Sequence, residues 1–275
     1  VYIVAVIDSR NDGAFPASVS GKAAALAEYI ALGPRLWRQN LTSYEPVTGD
    51  APAVVSMTSY GKRLNTAWKA VETIANGTVR PNRMILWVDE IFDSPQLYRL
   101  RKRGLEVVLC KDYGPHKKYF PYVQNCAPAT LVTADDDTYY PPTWLEELLS
   151  AHRDDQITAY RARVRSEGPY ASWPICATME PSELHLATGV SGVAYPPVIQ
   201  HALREKGDAF MGICPRADDF WLHYAGVATG LKTRQVREEA ALWWEMPMAS
   251  RTGLWDGKGT SNDAIHDLTR KCWLG

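Results

Sequence analysis

At 275 residues and 46% hydrophobic side chains, the chain can form one large α/β domain or two small ones and fill a sizeable core. Its 30 basic and 31 acidic residues leave a formal charge of −1 at pH 7, and the basic residues are scattered, so no nucleic acid partner is expected. Five cysteines, Cys110, Cys126, Cys176, Cys214 and Cys272, are too few and too widely spaced for a disulfide framework and lack zinc-ligand spacing, which points to reduced thiols in a cytoplasm.

The opening VYIVAVI has seven apolar residues. That is too short for a membrane span, it has no basic leader segment, and it reads as a buried strand. Residues 1–50, with Pro16, Gly33, Pro34, Pro46 and Gly49, read as an N-terminal extension packed on the core. From residue 53, apolar runs of strand length alternate with helical patterns: AVVSMTS, NTAWKAVETIANG, RMILWVD, PQLYRLRKRG, LEVVLC and TLVTA. This alternation predicts an α/β fold with a mostly parallel central sheet and flanking helices. Gly77 and Gly104 fall where left-handed helix C-caps are wanted, and Thr143 with Glu146 has capping-box spacing. Further on, ITAYRARVR reads as a strand, VIQHALREKG as a short helix, and CPRADDFWLHYAGVATG as a helix with Pro215 near its first turn and Gly230 past its end. The tail over 241–275, with Trp243, Trp244, Trp255 and Trp273, is assigned no regular structure.

Three consecutive carboxylates, Asp135, Asp136 and Asp137, follow TLVTA at the strand edge where open α/β sheets bind ligands. On an extended backbone Asp135 and Asp137 point to one side and Asp136 to the other. A hard cation such as Mg²⁺ or Mn²⁺ between the first pair would remove their repulsion. The competing reading is a solvated acidic turn. Asp89 ends the second strand, either as a ligand group or as an ordinary turn aspartate. Thr58, Ser59, Tyr60 and Arg63 follow the first strand in a loop with a single glycine, which is not a Walker or dinucleotide motif. Lys118, or equally Lys117, would meet a diphosphate as a point charge, against the alternative of a surface pair. Asp218 and Asp219 occupy the first turns of a helix, where the macrodipole favours ionised carboxylates. Gly189 and Gly192 suit a backbone passing close to a sugar, or a tight turn. Trp173, Tyr195, Trp221 and Trp243-Trp244 are either sugar platforms or core. A late histidine, His266, is kept out of the metal set.

In order, VVSMTSYGKR, RMILWVDE, DYGPHKKYFPYV, VTADDDTYYPPTWLEEL, GVSGVAYPP and CPRADDFW resemble a group of bacterial glycosyltransferases of the GT-A (Rossmann-like) fold, related to family 2 and found in surface-polysaccharide and O-antigen assembly. The resemblance spans roughly residues 52–230. It implies a catalytic domain over 51–240, with a nucleotide-binding half over 51–150 and an acceptor half over 151–240. It makes the triplet a DxD motif, with Asp137 as metal ligand, Asp135 at the metal or ribose, and Asp136 grouped with the nucleotide-sugar residues. Asp89 would accept from a uracil ring. Thr58, Ser59, Tyr60, Arg63 and Lys118 would serve the base and phosphates. Asp219 would be the general base, with Asp218 orienting substrate and Gly192, Tyr195 and Trp221 on the acceptor side. The implied activity is metal-dependent inverting transfer from a UDP-sugar donor to a glycan or lipid-linked glycan acceptor, with Mn²⁺ or Mg²⁺ as cofactor. It also implies cytoplasmic work at the inner membrane face, with peripheral membrane association. Two alternatives are a sugar-nucleotide pyrophosphorylase, whose glycine-rich loop SMTSYGKRL does not supply, and a noncatalytic Ca²⁺-dependent sugar-binding module, which is usually all-β.

Overall fold

The computed structural model describes residues 19–246 and 261–275, and the strand expected at residues 1–7 and Trp255 lie outside them. The predicted strands and helices between residues 51 and 134 all form. They are β1 (Ala51–Thr58), α2 (Ala67–Ala75), β2 (Pro81–Val88), α3 (Pro95–Lys102), β3 (Leu105–Leu109) and β4 (Leu131–Ala134), with α4 (Phe120–Asn125) between the last two. Preceding them is α1 (Val19–Thr42), a 24-residue helix where only an extension was expected. After β4 come β5 (Thr138–Tyr139), α5 (Trp144–Ala151), β6 (Gln156–Ala159), β7 (Ala162–Val164), β8 (His185–Ala187), β9 (Val193–Tyr195), α6 (Val198–Lys206), α7 (Asp218–Ala228), β10 (Lys232–Gln235), β11 (Trp244–Glu245) and α8 (Asn262–Leu274).

Seven strands form the main sheet in the order β10-β6-β9-β4-β1-β2-β3. All neighbours are parallel except β9, which runs antiparallel to both β4 and β6. Both faces are covered, so the strands read as near-continuous apolar runs. Successive residues go to opposite layers: Val55, Met57, Met84 and Leu86 pack with α2 and α3, while Val54, Ile85 and Trp87 pack with α4, α6 and α7. α1 is fastened to the first layer by a buried charge. Glu72 accepts from Arg103 Nη1 at 2.7 Å, from Asn40 Nδ2 at 2.8 Å and from Gln39 Nε2 at 2.8 Å.

Some local expectations give way to packing. ITAYRARVR divides into β6 in the main sheet and β7, which pairs with β8. Thr143 does not form a capping box: its Oγ1 donates to Glu147 at 2.7 Å, and Glu146 accepts from Thr78 at 2.6 Å. Gly104 and Gly230 adopt positive φ as expected, whereas Gly77 does not. The tail does have regular structure. β11 pairs antiparallel with β5, and α8 starts at the Ser261 cap and packs on α7, with Trp273 5.1 Å from Trp221. All five cysteines are free. Among the described residues no helix is long and apolar enough to cross a membrane.

Candidate functional site

The carboxyl ends of β1 to β4 open onto a cavity of about 280 Å³. Its lining includes Thr58, Tyr60, Arg63, Asp89, Asp112, Lys117, Lys118, Asp135, Asp136, Asp137, Val190 and Glu245. Most of the residues expected at a nucleotide site therefore meet in one place, 79 positions apart in sequence between Thr58 and Asp137 and brought together by the sheet. A larger cavity of about 520 Å³ lies between α1 and residues 237–244, and its lining is mostly apolar, including Leu32, Leu36 and Trp243. It contains none of the residues expected at the nucleotide, metal or base positions, but Trp243 and Trp244, read as sugar platforms or core, line it.

The acidic triplet is held in a turn, not an extended strand. β4 ends at Ala134, and the Asp135 N–H donates to Tyr140 Oη at 2.7 Å. Asp136 is therefore not thrown to the opposite side. Arg63 Nε donates to both Asp136 oxygens at 3.1 Å, and its Nη2 lies 2.7 Å from Asp137 Oδ2. Asp135 is paired with Lys118. The carbonyl of Asp137 accepts from the Met246 N–H at 2.6 Å, so the turn is also tied to β11. Arginine and lysine thus offset the mutual repulsion of the three carboxylates. Asp137 nevertheless has its pKa pushed above the ordinary carboxylate value by burial and by Asp135 and Asp136, against the opposing charge of Arg63.

At the other end of the cavity Lys117 joins Asp89 and lies 3.1 Å from Asp112. Both Arg63 and Lys117 sit over the Tyr60 ring, at 5.7 Å and 5.8 Å from its centroid. The turn carrying both lysines is anchored from three sides. Ser56 Oγ donates to the Lys118 carbonyl at 2.5 Å, and the His116 ring stacks on Phe210 at 4.0 Å. His116 Nε2 is 2.8 Å from the Cys214 carbonyl and Nδ1 2.8 Å from Tyr119 Oη. Burial pushes His116 down to about 4, so it is a neutral strut in which Nε2–H donates and Nδ1 accepts. Gly114, at φ +58°, is required because a Cβ there would lie 2.8 Å from the Pro215 carbonyl.

This anchoring brings Lys118 to the start of α7. Burial works against its positive charge, but Asp135, Asp218 and Asp219 together hold its pKa well above the ordinary value. Asp219 Oδ1 accepts from the Gly189 N–H at 2.8 Å. Its pKa is raised well above the usual carboxylate range, first by burial and then by Asp218, which outweigh Lys118 and the Gly189 bond. The helix dipole alone led to the expectation of an ordinary ionised carboxylate; desolvation and a like charge overrule it. The antiparallel direction of β9 explains why Gly189 is there at all: the turn before β9 lies at the same sheet edge as the ends of β1 to β4.

Four expected site residues play other parts. Ser59 is fully buried and absent from the cavity lining, which takes its neighbours Thr58 and Tyr60 instead. Gly192, at φ +102°, makes room for Trp144, whose Cζ2 would lie 2.7 Å from a Cβ. It is Gly189 whose backbone approaches Asp219. Tyr195, on β9, and Trp221, on α7, are core residues at 3% and 0% exposure and offer no platform to a sugar. His266 bonds Tyr224 Oη at 2.5 Å and packs on Trp173, in an aromatic cluster. Asp112 and Glu245 are the charged lining residues that the sequence did not single out for the site. Asp112 lies three positions past a strand whose end faces the site, a signal that was available; Glu245 arrives only through β11.

Among the described residues, no three His, Cys, Asp or Glu side chains are arranged as a ready metal centre. The donor chemistry nevertheless fits a hard cation. Six carboxylates line the cavity against three cationic side chains, Asp137 is a half-buried carboxylate in excess negative charge, and all available donors are oxygens. An anionic diphosphate would be repelled from such a lining without a cation.

No family model and no curated protein sequence matches the chain. Solved structures resemble it in part. S. aureus TarS 1–349 superposes with a TM-score of 0.51 at 11% identity, over 72% of this chain and 61% of its own, so the chain spans about three-fifths of that relative. The same TarS fragment in complex with UDP-GlcNAc gives 0.49 at 12% identity, over 70% and 57%. The mannosyltransferase PcManGT from Pyrobaculum calidifontis, in complex with GDP-Man and Mn²⁺, gives 0.43 at 12% identity, over 77% and 66%. The likeness to TarS establishes a shared Rossmann-like α/β architecture, as the alternation of strands and helices predicted.

Proposed function

We propose that this protein is a metal-dependent inverting glycosyltransferase that uses a UDP-sugar donor and a glycan or lipid-linked glycan acceptor, in bacterial surface polysaccharide synthesis. The observation that carries the proposal is the joining of two acidic sites through one lysine. Lys118 pairs with Asp135 at the cavity and is held charged by Asp218 and Asp219 at the start of α7. A donor phosphate in the cavity and an acceptor hydroxyl at Asp219 would meet across it.

In this reading, residues 51–150 bind the nucleotide and residues 151–240 the acceptor. Lys117 holds Asp89 in place, and Asp89 accepts from the uracil N–H, with the Tyr60 ring against the base. Asp137 and Asp135 would hold Mn²⁺ or Mg²⁺, which supplies charge neutralisation at the leaving diphosphate. Arg63 makes three hydrogen bonds to Asp136, so it would keep an anchor there if Asp137 were to hold a cation. Lys118 then faces the diphosphate oxygens.

Asp219 takes the proton of the acceptor hydroxyl. Its Oδ1 is fixed by Gly189, and its raised proton affinity places it closer to the working pH than an ordinary carboxylate. The acceptor oxygen forms its bond to the anomeric carbon as the bond from that carbon to the diphosphate oxygen breaks, and the electron pair leaves with UDP. With one base opposite the leaving group, the displacement inverts the anomeric centre. Asp218 stays at the protein side of the pair as a positioning residue.

Thermal shifts with UDP, GDP or CMP, each with Mn²⁺, Ca²⁺ or chelator, test the reading. Stabilisation by UDP that needs Mn²⁺ or Mg²⁺ is expected, followed by release of UDP from a UDP-sugar. Stabilisation by sugars with Ca²⁺ and no nucleotide would overturn it.

A further inference from the structure

The second half of ITAYRARVR places Arg163 in β7 and Arg161 and Arg165 immediately before and after it, at alternate positions that an extended backbone turns to one side. Of the two intervening residues Ala162 is fully buried and Val164 half-buried, as are the three arginines. Consecutive members of such a row sit about 7 Å apart, close enough to repel.

Elsewhere the fold answers clustered charge with opposite charge: Arg63 with Asp136 and Asp137, Lys117 with Asp89 and Asp112, Arg103 with Glu72. Arg163 and Arg165 are treated differently. Arg163 Nη1 donates to the Trp173 carbonyl at 2.6 Å and its guanidinium lies 5.1 Å from the Tyr170 ring. Arg165 Nη1 donates to Tyr224 Oη at 3.1 Å and its guanidinium lies 5.8 Å from that ring. Neither makes an ion pair with any described carboxylate. Two nearby acids, Asp263, which accepts from the Tyr170 N–H at 2.6 Å, and Asp267, 3.2 Å from His266, form no ion pair with Arg163 or Arg165.

The row also lies beside the proposed base. Arg161 Nη1 donates to Thr188 Oγ1 at 3.1 Å, and the next residue is Gly189, whose N–H holds Asp219. The Tyr170 phenol feels the negative charge of Asp219 and the positive charges of Arg163 and Arg161 at once.

We propose that Arg163 and Arg165 bind an oxyanion, phosphate or carboxylate, carried by the acceptor, so that the acceptor is an anionic glycan and not a neutral one. The proposal rests on the reading of Asp219 as the acceptor-side base. Guanidinium forks match planar and tetrahedral oxyanions through paired N–H donors, and neutral carbonyl and phenol partners leave their charge to be met by a ligand.

Calorimetric titration of the whole protein with a glycerol phosphate trimer, a glucuronate-terminated disaccharide and lactose tests this, each with and without UDP and Mn²⁺. At least one anionic probe should bind about tenfold more tightly than lactose, with an advantage that falls as salt is raised. The phosphate and carboxylate arms identify which oxyanion is taken. Arg163→Gln with Arg165→Gln should remove the advantage, while Arg163→Lys with Arg165→Lys should keep part of it by retaining charge without the fork. Equal affinity for all three probes overturns the proposal, as does an unchanged advantage in the folded double glutamine variant. The UDP titration on the same samples separates the two readings: a wild-type protein that binds the anions but not UDP keeps the arginine site and loses glycosyl transfer.

Discussion

Replacing Asp219 by asparagine should make the protein more stable and less active, with a gain in stability that depends on pH. The amide oxygen can still accept from Gly189, so the turn before β9 keeps its anchor. What disappears is a half-buried negative charge next to Asp218. At a separation on the order of 6 Å and an effective dielectric of about 20, two carboxylates repel by about 3 kcal/mol. Lys118 returns part of that as attraction, and solvent at the half-exposed edge screens the rest, which leaves a net relief of about 1–2 kcal/mol. The sign follows from the raised pKa. A carboxyl whose folded value is raised gives its full stability below its unfolded value, near 3.9, and withdraws it as pH climbs through the raised one. Wild type should therefore lose stability across that window and Asp219→Asn should not. Urea unfolding at pH 4, 6 and 8 reads the difference, which should be near zero at pH 4 and largest at pH 8. Transfer should fall about a hundred- to ten-thousand-fold with donor binding retained. A variant less stable than wild type at pH 8, or a difference that does not change with pH, would refute the account of Asp219.

Asp137→Asn should abolish the dependence of UDP binding on Mn²⁺, seen as identical thermal shifts with metal and with chelator. Gly192→Ala should cost about 2–4 kcal/mol, because the added Cβ meets the Trp144 indole at 2.7 Å and the residue is held at φ +102°; denaturant midpoints check this. Glu72→Gln should cost about 3–5 kcal/mol by leaving Arg103 buried without its counter-charge, and α1 should become the first segment cut in limited proteolysis.

The sheet and its helices were legible because local pattern and burial agree there. Strands buried on both faces give unbroken apolar runs such as MILWV, and each helix between them carries its own amphipathic stripe. The position of the acidic triplet was legible from the rule that ligands gather at carboxyl strand ends. Its inner geometry was not, because the turn at Asp136 is set by Arg63, 73 residues earlier, and by Met246, 109 residues later. Gly192, Tyr195 and Trp221 show the same limit from the other side. A glycine beside a tight turn, an aromatic on a strand and a tryptophan on a helix look alike in sequence whether they face a ligand or the core. Only Trp144, docked against the Gly192 backbone, decides the first case. α8 was missed although Ser261 caps it and Ile265 and Thr269 share its buried face, because glycines and tryptophans upstream masked the signal.

The single reversed strand, β9, has a consequence for how the protein comes to be active. Its pairing with β4 joins residues about 60 positions apart, and β11 reaches β5 across more than 100. Contacts of such sequence separation form late, because the entropy of closing the intervening chain is lost before they contribute anything. The early units around β1 to β4 can assemble from neighbours in the chain, while Gly189, Asp219 and Glu245 wait for the distant pairings. In a refolding experiment, far-ultraviolet circular dichroism should therefore recover before metal-dependent UDP binding does, and the lag between the two measures the closing of the reversed strand.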